Sequence, residues 1–187
     1  MKFKLLFIFL FLILLTACSG SSYENEDVIA VLKGKEIKGK DVLALYPLND
    51  EHIDIYLKEE IIVNEAKAMG IQVSGDEIES NKNSLYPGLE TSEILQHLPE
   101  SERQFYEKQA TALEITLEEY YEIWRDTHYS RDAYIQAYIN ERFYNPAVSE
   151  GLDLMVLENV NKLNEEIDTH LEELIDLYKK NGDLIVS

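Results

Sequence analysis

Side chains that could bind a metal or act in catalysis are scattered along this chain rather than grouped. The four histidines lie far apart in the sequence, at His52, His97, His128 and His170. No two of them share the i, i+4 spacing that puts a pair of imidazoles on one helical face for a zinc ion. We therefore expect ordinary surface histidines and no metal site.

Adjacent carboxylates are a second candidate for chemistry, because two carboxyl groups can act as an acid and a base. They occur at Glu118-Glu119, Glu165-Glu166 and Glu172-Glu173. Each pair lies in an amphipathic helical pattern, where such residues normally form a solvated face. The chain also lacks a Gly-x-Ser-x-Gly motif, a complete P-loop and a Ser-x-x-Lys motif. The sequence therefore predicts no enzyme, no cofactor and no small-molecule substrate.

Cys18 is the only cysteine of the chain, and it follows an apolar stretch of signal-peptide length. The run that it ends is Leu15-Thr16-Ala17-Cys18. This run resembles the lipobox of bacterial lipoproteins. The resemblance implies diacylglycerol on the Cys18 sulfur, removal of a signal peptide at 1–17, and a lipid anchor on the extracytoplasmic face of the cell membrane. The alternative is a buried, unmodified thiol after an ordinary secretory signal.

The charge of the chain narrows the choice of partners. The formal net charge is −19, and loss of Lys2 and Lys4 with the signal peptide makes the mature chain two charges more negative. Such a charge argues against nucleic acid, since no basic stripe is present to release phosphate counterions. It also argues against flat contact with anionic lipid, so the acyl chains must carry the membrane attachment. With Cys18 acylated, no internal disulfide can form, and core packing must stabilise the fold.

The ends of the mature chain predict a small sheet. Residues 18–27 are small, polar and acidic, and we interpret them as a flexible tether. A β-rich stretch at 28–32, a turn at Lys33-Gly34 and a return at 35–37 indicate a hairpin. A further strand is predicted at 184–186. Because an isolated strand is unstable, we expect this terminal strand to pair with the hairpin.

The chain between these strands is predicted to be helical. The expected helices cover 41–46, 49–69, 74–83, 92–97, 101–113, 117–127, 131–144 and 147–181. Capping boxes are indicated at Ser74 with Glu77, Ser101 with Gln104 and Thr116 with Glu119. The last helix has a continuous apolar seam from Val156 to Tyr178, and we expect it to be about 50 Å long. The predicted fold is therefore mainly α, one multi-helix domain at 28–187 with a small sheet.

Aromatic residues are concentrated in the middle of the chain, between residues 120 and 144. The candidates for a polypeptide-binding surface are Tyr120, Tyr121, Trp124, Tyr134, Tyr138 and Phe143. Tyr and Trp suit such a surface because each combines a large apolar area with a polar tip. The alternative is that these side chains fill the core between helices, and the sequence leaves both interpretations open.

Several segments resemble the SurA N-terminal family, which is shared with PrsA-type foldases and is similar in topology to trigger factor. The resemblance is carried by residues 28–41, by Glu60 to Ile78 with its Glu-Ala, Gly-Ile and Val-Ser-x-x-Glu-Ile cadence, by Ile115 to Tyr121, and by Glu173 to Ile185. It implies a chaperone body that binds unfolded polypeptide. Lys33 replaces the usual turn Asn, and Lys38 stands where a capping Thr is expected. Proteins of this type commonly carry a parvulin prolyl isomerase, but residues 85–150 are helical with Gly88 as their only glycine, so no isomerase fits.

The leading hypothesis is a membrane-anchored, non-catalytic, chaperone-like lipoprotein. It would transiently bind exported, unfolded or partly folded polypeptides, in a cleft framed by the last helix. The alternative is a helical interaction module that recruits one specific envelope partner and has no chaperone activity. Solute binding for a transporter fits poorly, because the chain lacks the alternating βα pattern of two-lobed binding proteins.

Overall fold

A computed structural model describes residues 23–187 of the protein. These residues form a mainly helical body with one small antiparallel sheet, which confirms the predicted fold class. The predicted signal peptide at 1–17, the acylation site Cys18 and the first part of the tether lie outside the described residues. None of the helices within 23–187 is both long enough and apolar enough to cross a membrane.

The sheet joins the two ends of the described chain. Strands β1 (Val28–Leu32) and β2 (Lys35–Lys38) form a hairpin, and β3 (Leu184–Val186) pairs with the other edge of β1. Both pairings are antiparallel, and Ala30 of β1 lies opposite Val186 of β3. The predicted closure of the C-terminal strand on the N-terminal hairpin is therefore confirmed.

The hairpin turn places a lysine in an unfavourable backbone conformation. Lys33 has φ 47° and Gly34 has φ 82°, and a two-residue turn of type I′ needs positive φ at both positions. Three contacts hold Lys33 there. Its N–H donates to the Asp183 carbonyl at 2.7 Å, its ammonium lies 3.6 Å from Glu65, and the same group lies 4.8 Å from the centre of the Tyr178 ring. The turn is thus tied to Glu65, Tyr178 and Asp183.

The described part of the predicted tether, residues 23–27, is docked on the body rather than flexible. Helix α1 (Gly39–Leu43) begins with backbone N–H groups that have no partner within the helix. The Gly39 N–H donates to the Asp27 carbonyl at 2.9 Å, and the Lys40 N–H donates to the Asn25 carbonyl at 2.8 Å. The Asn25 amide in turn donates to the Ala112 carbonyl at 2.7 Å. The prediction of a flexible tether at 18–27 is therefore corrected for 23–27, whose backbone satisfies the start of α1.

Two helices begin or end at capping residues that the sequence displays. Helix α2 (Asp50–Ala68) is capped by Asn49, whose side chain accepts from the His52 N–H, and Gly70 follows with φ 80°. Helix α3 (Gly75–Lys82) begins where the Ser74 hydroxyl accepts from the Glu77 N–H at 3.1 Å. The remaining elements are α4 (Thr91–His97), α5 (Glu100–Leu113), α6 (Leu117–Ile139), a π-helical segment (Asn140–Tyr144), α7 (Asn145–Ser149) and α8 (Leu157–Asn181).

The predicted helices at 117–127 and 131–144 are one continuous path. Helix α6 begins with the expected capping box of Thr116 and Glu119 and runs through 128–130, where no residue breaks a helix. The path then widens into the π-helical segment. Pro146 does not stop it: this proline lies in the first turn of α7, directly after the π-helical segment.

Several other boundaries differ from the prediction. Helix α1 covers Gly39–Leu43 rather than 41–46. Helix α5 begins at Glu100, and the Gln104 amide donates to the Glu100 carboxylate at 2.8 Å, so Ser101 does not form a capping box with Gln104. Helix α8 begins at Leu157 rather than at residue 147, because the chain turns at Gly151 with φ 91°. With 25 residues it is about 38 Å long, shorter than the expected 50 Å.

The core consists of three clusters, and α2 and α6 run between them. The sheet cluster joins the strands to α2 and to the C-terminal half of α8. The central cluster joins the end of α2 to the end of α6, the π-helical segment and the start of α8. The N-terminal half of α6 packs with α4 and α5 in the aromatic cluster. The relative placement of these clusters therefore depends on how α2 meets α6.

Gly39 is the position at which the docked N-terminal segment is most sensitive to substitution. A Cβ atom there would lie 2.2 Å from the Glu24 carbonyl oxygen and 3.1 Å from a methyl group of Leu48. We expect Gly39→Ala to lower the free energy of unfolding by about 2 kcal/mol, as overpacking a filled site does. Urea denaturation measures this loss. Gly75→Ala is the matched control, since a Cβ at this helix start meets no atom within 4 Å and should leave stability unchanged or slightly raised. Equal stability of the two variants would contradict the close approach.

Candidate functional site

Helix α6 carries most of the aromatic residues that the sequence singled out. Tyr120 and Tyr121 are buried and Trp124 is half-buried, all against α4 and α5. The Tyr106 ring of α5 lies 5.2 Å from Tyr121 and 5.1 Å from Trp124, measured between ring centres. The Tyr120 hydroxyl donates to the Leu43 carbonyl at 3.3 Å. Burial raises the pKa of Tyr120 above its ordinary range, so this side chain stays a neutral donor.

The other three candidates lie in the central cluster. Tyr138 and Phe143 are buried and Tyr134 is half-buried. The Tyr138 hydroxyl lies 2.9 Å from Nε2 of His170 on α8. Burial, together with the nearby Arg142 guanidinium, lowers the pKa of His170 below its ordinary value of 6.5. His170 was expected at the surface, but it is half-buried and links α6 to α8.

The six predicted binding residues are therefore divided between two core clusters. Tyr120, Tyr121, Tyr138 and Phe143 fill the interior, which is the alternative that the sequence left open. Only Trp124 and Tyr134 keep part of their surface in solvent. Trp124 stacks on His128 with 4.8 Å between ring centres, so its remaining exposure is small and partly covered by an imidazole. Direct contact of the buried four with a polypeptide would require the helices to separate.

A buried ionic centre joins α2 to α6, and sequence reasoning missed it. We use the name Arg131 centre for Arg131 of α6 with Tyr56, Glu59 and Glu60 of α2. One Arg131 nitrogen donates to Glu60, and the other donates to the Tyr56 carbonyl at 3.1 Å and to Glu59 at 3.3 Å. The guanidinium also lies 4.4 Å from the centre of the Tyr56 ring. Both Arg131 and Glu60 are buried.

The charged groups of the Arg131 centre have hydrogen-bond or ion-pair partners, with one exception. Glu60 also receives the Lys35 ammonium at 3.5 Å, and Glu59 accepts from the Tyr46 hydroxyl at 2.6 Å. The Arg131 Nε, however, has no hydrogen-bond partner among residues 23–187. The carboxylate pair Glu59-Glu60, directly before the apolar run 61–63, was the sequence signal for this centre. Its chemistry is structural, since the carboxylates are neutralised by a cation that never deprotonates in proteins.

Apolar side chains are exposed where the chain passes from α7 to α8. Met155 is 93% exposed and Leu157 is 72% exposed, and Val148 and Val156 are also exposed. We call these four residues the apolar connector. The sequence placed Val156 in the buried seam of the last helix, but that seam begins only at Val160, after the chain has turned at Gly151.

The apolar connector is held in place rather than loose. The Met155 N–H donates to the Asp153 carboxylate at 2.9 Å, and the Asn159 amide donates to the Asp153 carbonyl at 2.9 Å. Leu154 packs against the central cluster. Because Leu154 points inward and Asp153 fixes the turn, Met155 is turned to solvent. A run of three exposed apolar residues is uncommon on a soluble surface unless it contacts something.

A groove of about 310 Å³ lies between α2, the end of α8 and β3. Its apolar lining comes from Leu57, Ile61, Ile175, Leu184 and Val186. Its charged lining comes from Asp54, Glu172, Asp176, Lys58 and Lys179. We call it the β3 groove. Apolar and charged side chains line the groove in equal number.

Comparison of the chain with protein-family models, with curated proteins and with solved structures returned no match. Within residues 23–187 no group of three His, Cys, Asp or Glu side chains is arranged to hold a metal ion. The apolar connector, with three consecutive exposed apolar residues, differs from the acidic remainder of the surface.

Removal of one partner from the Arg131 centre should destabilise the fold. We expect Arg131→Met to lower the free energy of unfolding by about 3 kcal/mol, because Glu60 is left buried with only the exposed Lys35 as a cation. Adding Glu60→Leu to that variant should recover part of the loss, since an apolar pair of similar volume needs no counter-charge. Chemical denaturation of the wild type, both single variants and the double variant measures the coupling. Strictly additive losses would show that the two side chains do not act as a pair.

Proposed function

We propose that this protein is a membrane-anchored, non-catalytic, chaperone-like lipoprotein that transiently binds exported, unfolded polypeptides. The proposal combines the lipobox resemblance at Cys18, the resemblance to the SurA N-terminal family and the exposed apolar surface of the body. The observation that carries it is the apolar connector, in which Met155 and Leu157 are more than two-thirds exposed on an anchored turn. Flexible methionine and leucine side chains bind varied apolar partners, because they repack against many shapes.

The charge of the body supports the same proposal. The formal net charge of −19 gives the surface a strong negative potential, which attracts basic segments and disfavours anionic ones. Repulsion between like-charged copies also opposes self-association through the exposed apolar side chains. A tethered body of this kind would bind clients by apolar contact and remain soluble at the membrane surface.

The alternative is a module that recruits one specific envelope partner without chaperone activity. The β3 groove is the observation that favours it, since a single narrow groove suits one partner, whereas an open apolar surface suits many. Capture of the acylated protein from its own membrane separates the two functions. Many unrelated exported proteins would support the chaperone, and one stoichiometric protein would support the specific module.

The chaperone proposal predicts that the apolar connector suppresses aggregation. The full chain in lipid nanodiscs should keep a thermally unfolded reporter enzyme soluble at a 1:1 ratio, and we expect Met155→Ser with Leu157→Ser to lose most of this effect. Each serine removes apolar contact area worth about 1–2 kcal/mol of client binding. Sedimentation of the fluorescently labelled reporter measures the soluble fraction, with empty nanodiscs as background.

Leu85→Ser is the matched control for the aggregation assay. Leu85 is 71% exposed, close to the 72% of Leu157, but it lies in the connection between α3 and α4. This variant should retain full activity. Loss of activity in Leu85→Ser to the same extent would assign the effect to general surface hydrophobicity. No suppression by the wild type at equimolar concentration would contradict the chaperone function.

The anchor proposal predicts that Cys18 carries the lipid. Cells fed an alkyne-bearing fatty acid should yield labelled wild-type protein, and Cys18→Ser should yield none, because the chain has no other thiol. Ser19→Ala keeps the thiol and should be labelled as the wild type is. Intact-mass measurement gives the number of acyl chains, and stable anchoring needs at least two. Equal labelling of Cys18→Ser would contradict acylation at this residue.

A further inference from the structure

A cleft of about 380 Å³ lies where α1 and α2 meet the first half of α6. Its apolar walls come from four residues, Ala44, Leu113, Ile115 and Ile123. Leu113 and Ile115 lie on either side of Glu114, which ends α5 with φ 59°, and both side chains border the cleft after this sharp turn. Ile123 is 43% exposed, so solvent reaches this wall. We call this space the Tyr56 cleft.

Tyr56 lines the cleft with a hydroxyl that has no hydrogen-bond partner within residues 23–187. The residue is only 6% exposed, and its ring is held by the Arg131 guanidinium, 4.4 Å from the ring centre. The hydroxyl is not enclosed, since the Arg131 Nε is the one enclosed side-chain polar atom without a partner in this part of the chain. It therefore opens into the cleft. Because buried polar groups normally have partners, a free hydroxyl in this position points to a ligand.

The Tyr56 hydroxyl stays neutral at physiological pH. Burial raises the pKa of Tyr56 above its ordinary value of 10.0, and the carboxylates of Glu60 and Asp41 act in the same direction. A neutral phenol can accept a hydrogen bond from a ligand as well as donate one. The hydroxyl is thus an available acceptor at the cleft.

Two further acceptors border the same space. The Thr127 hydroxyl forms no hydrogen bond within residues 23–187, whereas three other helical hydroxyls donate to the carbonyl four residues earlier, those of Thr111, Ser149 and Thr169. Asp41 uses Oδ2 to accept the Lys38 N–H at 2.8 Å, and its Oδ1 has no partner in the described chain. The cleft thus offers two hydroxyls and one carboxylate oxygen beside apolar walls.

The charge of the cleft favours a cation. Lys40 also lines it, but the Lys40 ammonium lies 2.7 Å from the Glu26 carboxylate and is paired there. The Arg131 centre contains its own carboxylates, so it does not offset the charge of Asp41. Asp41 forms no ion pair within residues 23–187. Its carboxylate, in a chain of net charge −19, attracts a positive group to the cleft.

We propose that the Tyr56 cleft binds the side chain of a lysine residue in an exported polypeptide. The ammonium donates to Asp41 Oδ1, the Tyr56 hydroxyl and the Thr127 hydroxyl, and the aliphatic stem lies along the apolar walls. An ammonium group has three N–H donors and no acceptor, which matches three free acceptors. The stem of lysine packs readily on apolar surface while its head stays polar. This inference deepens the proposed function and rests on it for the source of the lysine.

Recognition of one charged side chain suits a protein with many clients. It depends on a single residue of the client and leaves the neighbouring sequence free to vary. The long-range negative field of the body brings basic segments to the surface, and the cleft then selects the primary ammonium group by its geometry. The apolar connector would supply the contact with exposed apolar side chains of the same client.

Three substitutions test the acceptors. Asp41→Asn keeps an oxygen for the Lys38 N–H and removes the charge, while Tyr56→Phe and Thr127→Val each remove one hydroxyl. The probe is a capped heptapeptide of glycine and serine with one lysine between two valines and a neutral fluorophore. Anisotropy measures its binding to the full chain in nanodiscs. We expect Asp41→Asn to weaken binding about tenfold and the other two variants about threefold each, as loss of charged and neutral hydrogen bonds implies.

Asp168→Asn is the matched control for charge, since Asp168 is exposed on α8 and does not line the cleft. This variant should bind the peptide as the wild type does. An equal loss in Asp41→Asn and Asp168→Asn would assign the effect to net charge and overturn the site.

Changes in the ligand test which part of lysine is recognised. A norleucine peptide keeps an aliphatic side chain without the ammonium, and an acetyl-lysine peptide removes the charge, so each should bind about tenfold more weakly. Free n-butylamine competes as the same head and stem without a polypeptide. The lysine peptide should bind more tightly, because its valines add contact with the exposed side of Ile123. Equal affinity of n-butylamine and peptide would assign the cleft to free amines and overturn the polypeptide source, and equal binding of the lysine and norleucine peptides would overturn ammonium recognition.

Stability of Tyr56→Phe is an independent readout. Because the hydroxyl that it removes has no partner in the fold, urea denaturation should show a free energy of unfolding equal to that of the wild type or slightly higher. A clearly lower value would show that the hydroxyl is used within the fold, and it would overturn its role as a free acceptor. Circular dichroism confirms that each variant is folded.

Two outcomes separate the cleft from the chaperone function. If the wild type keeps the reporter enzyme soluble but does not distinguish lysine from norleucine peptides, the lysine site is overturned and the chaperone function stands. If the peptides bind with the expected pattern but the reporter aggregates, the lysine site stands and the chaperone function is overturned.

Discussion

The contact of Arg131 with Glu60 and the Tyr56 carbonyl fixes how α2 lies against α6, and the rest of the body depends on that placement. Helix α2 supplies residues to the sheet cluster and the central cluster, while α6 supplies residues to the central and aromatic clusters. A shift of one helix along the other would carry whole clusters with it. Apolar contacts alone tolerate such shifts, but a buried guanidinium is satisfied only where its acceptors face it. The ionic centre therefore sets the register of the core more than it adds stability.

This arrangement leaves the exposed apolar surfaces at places where they do not disturb the core. The apolar connector projects from a turn fixed by Asp153, and β3 lies at the edge of a sheet that already closes the body. Both are attached to α8, one at each end. Helix α8 is buried along Leu163, Ile167, Leu174 and Tyr178, so it carries the two surfaces on a firmly packed support. Binding at the apolar connector would then leave the three clusters intact.

Local patterns predicted most elements of the fold and failed where the chain's path depended on distant groups. The caps at Asn49, Ser74 and Thr116 were predicted because each requires only neighbouring residues. The docking of residues 23–27 was not predicted, since it satisfies the N–H groups of a helix that begins twelve residues later. Nor was the start of α8 predicted, because the apolar spacing around Val156 fits a helix whether or not the chain turns at Gly151.

The candidate sites show the same difference between what local sequence predicts and what distant contacts decide. The sequence by itself determined the strong negative charge and the single thiol at Cys18, since both follow from composition. It also determined the mainly helical fold and the closure of the sheet by both ends of the chain, since the spacing of apolar residues indicates helices and strands. Tertiary structure alone decided that Tyr120, Tyr121, Tyr138 and Phe143 are interior and that Met155 and Leu157 are exposed. Burial is a property of what packs opposite a residue, and a one-dimensional pattern states only which residues share a face.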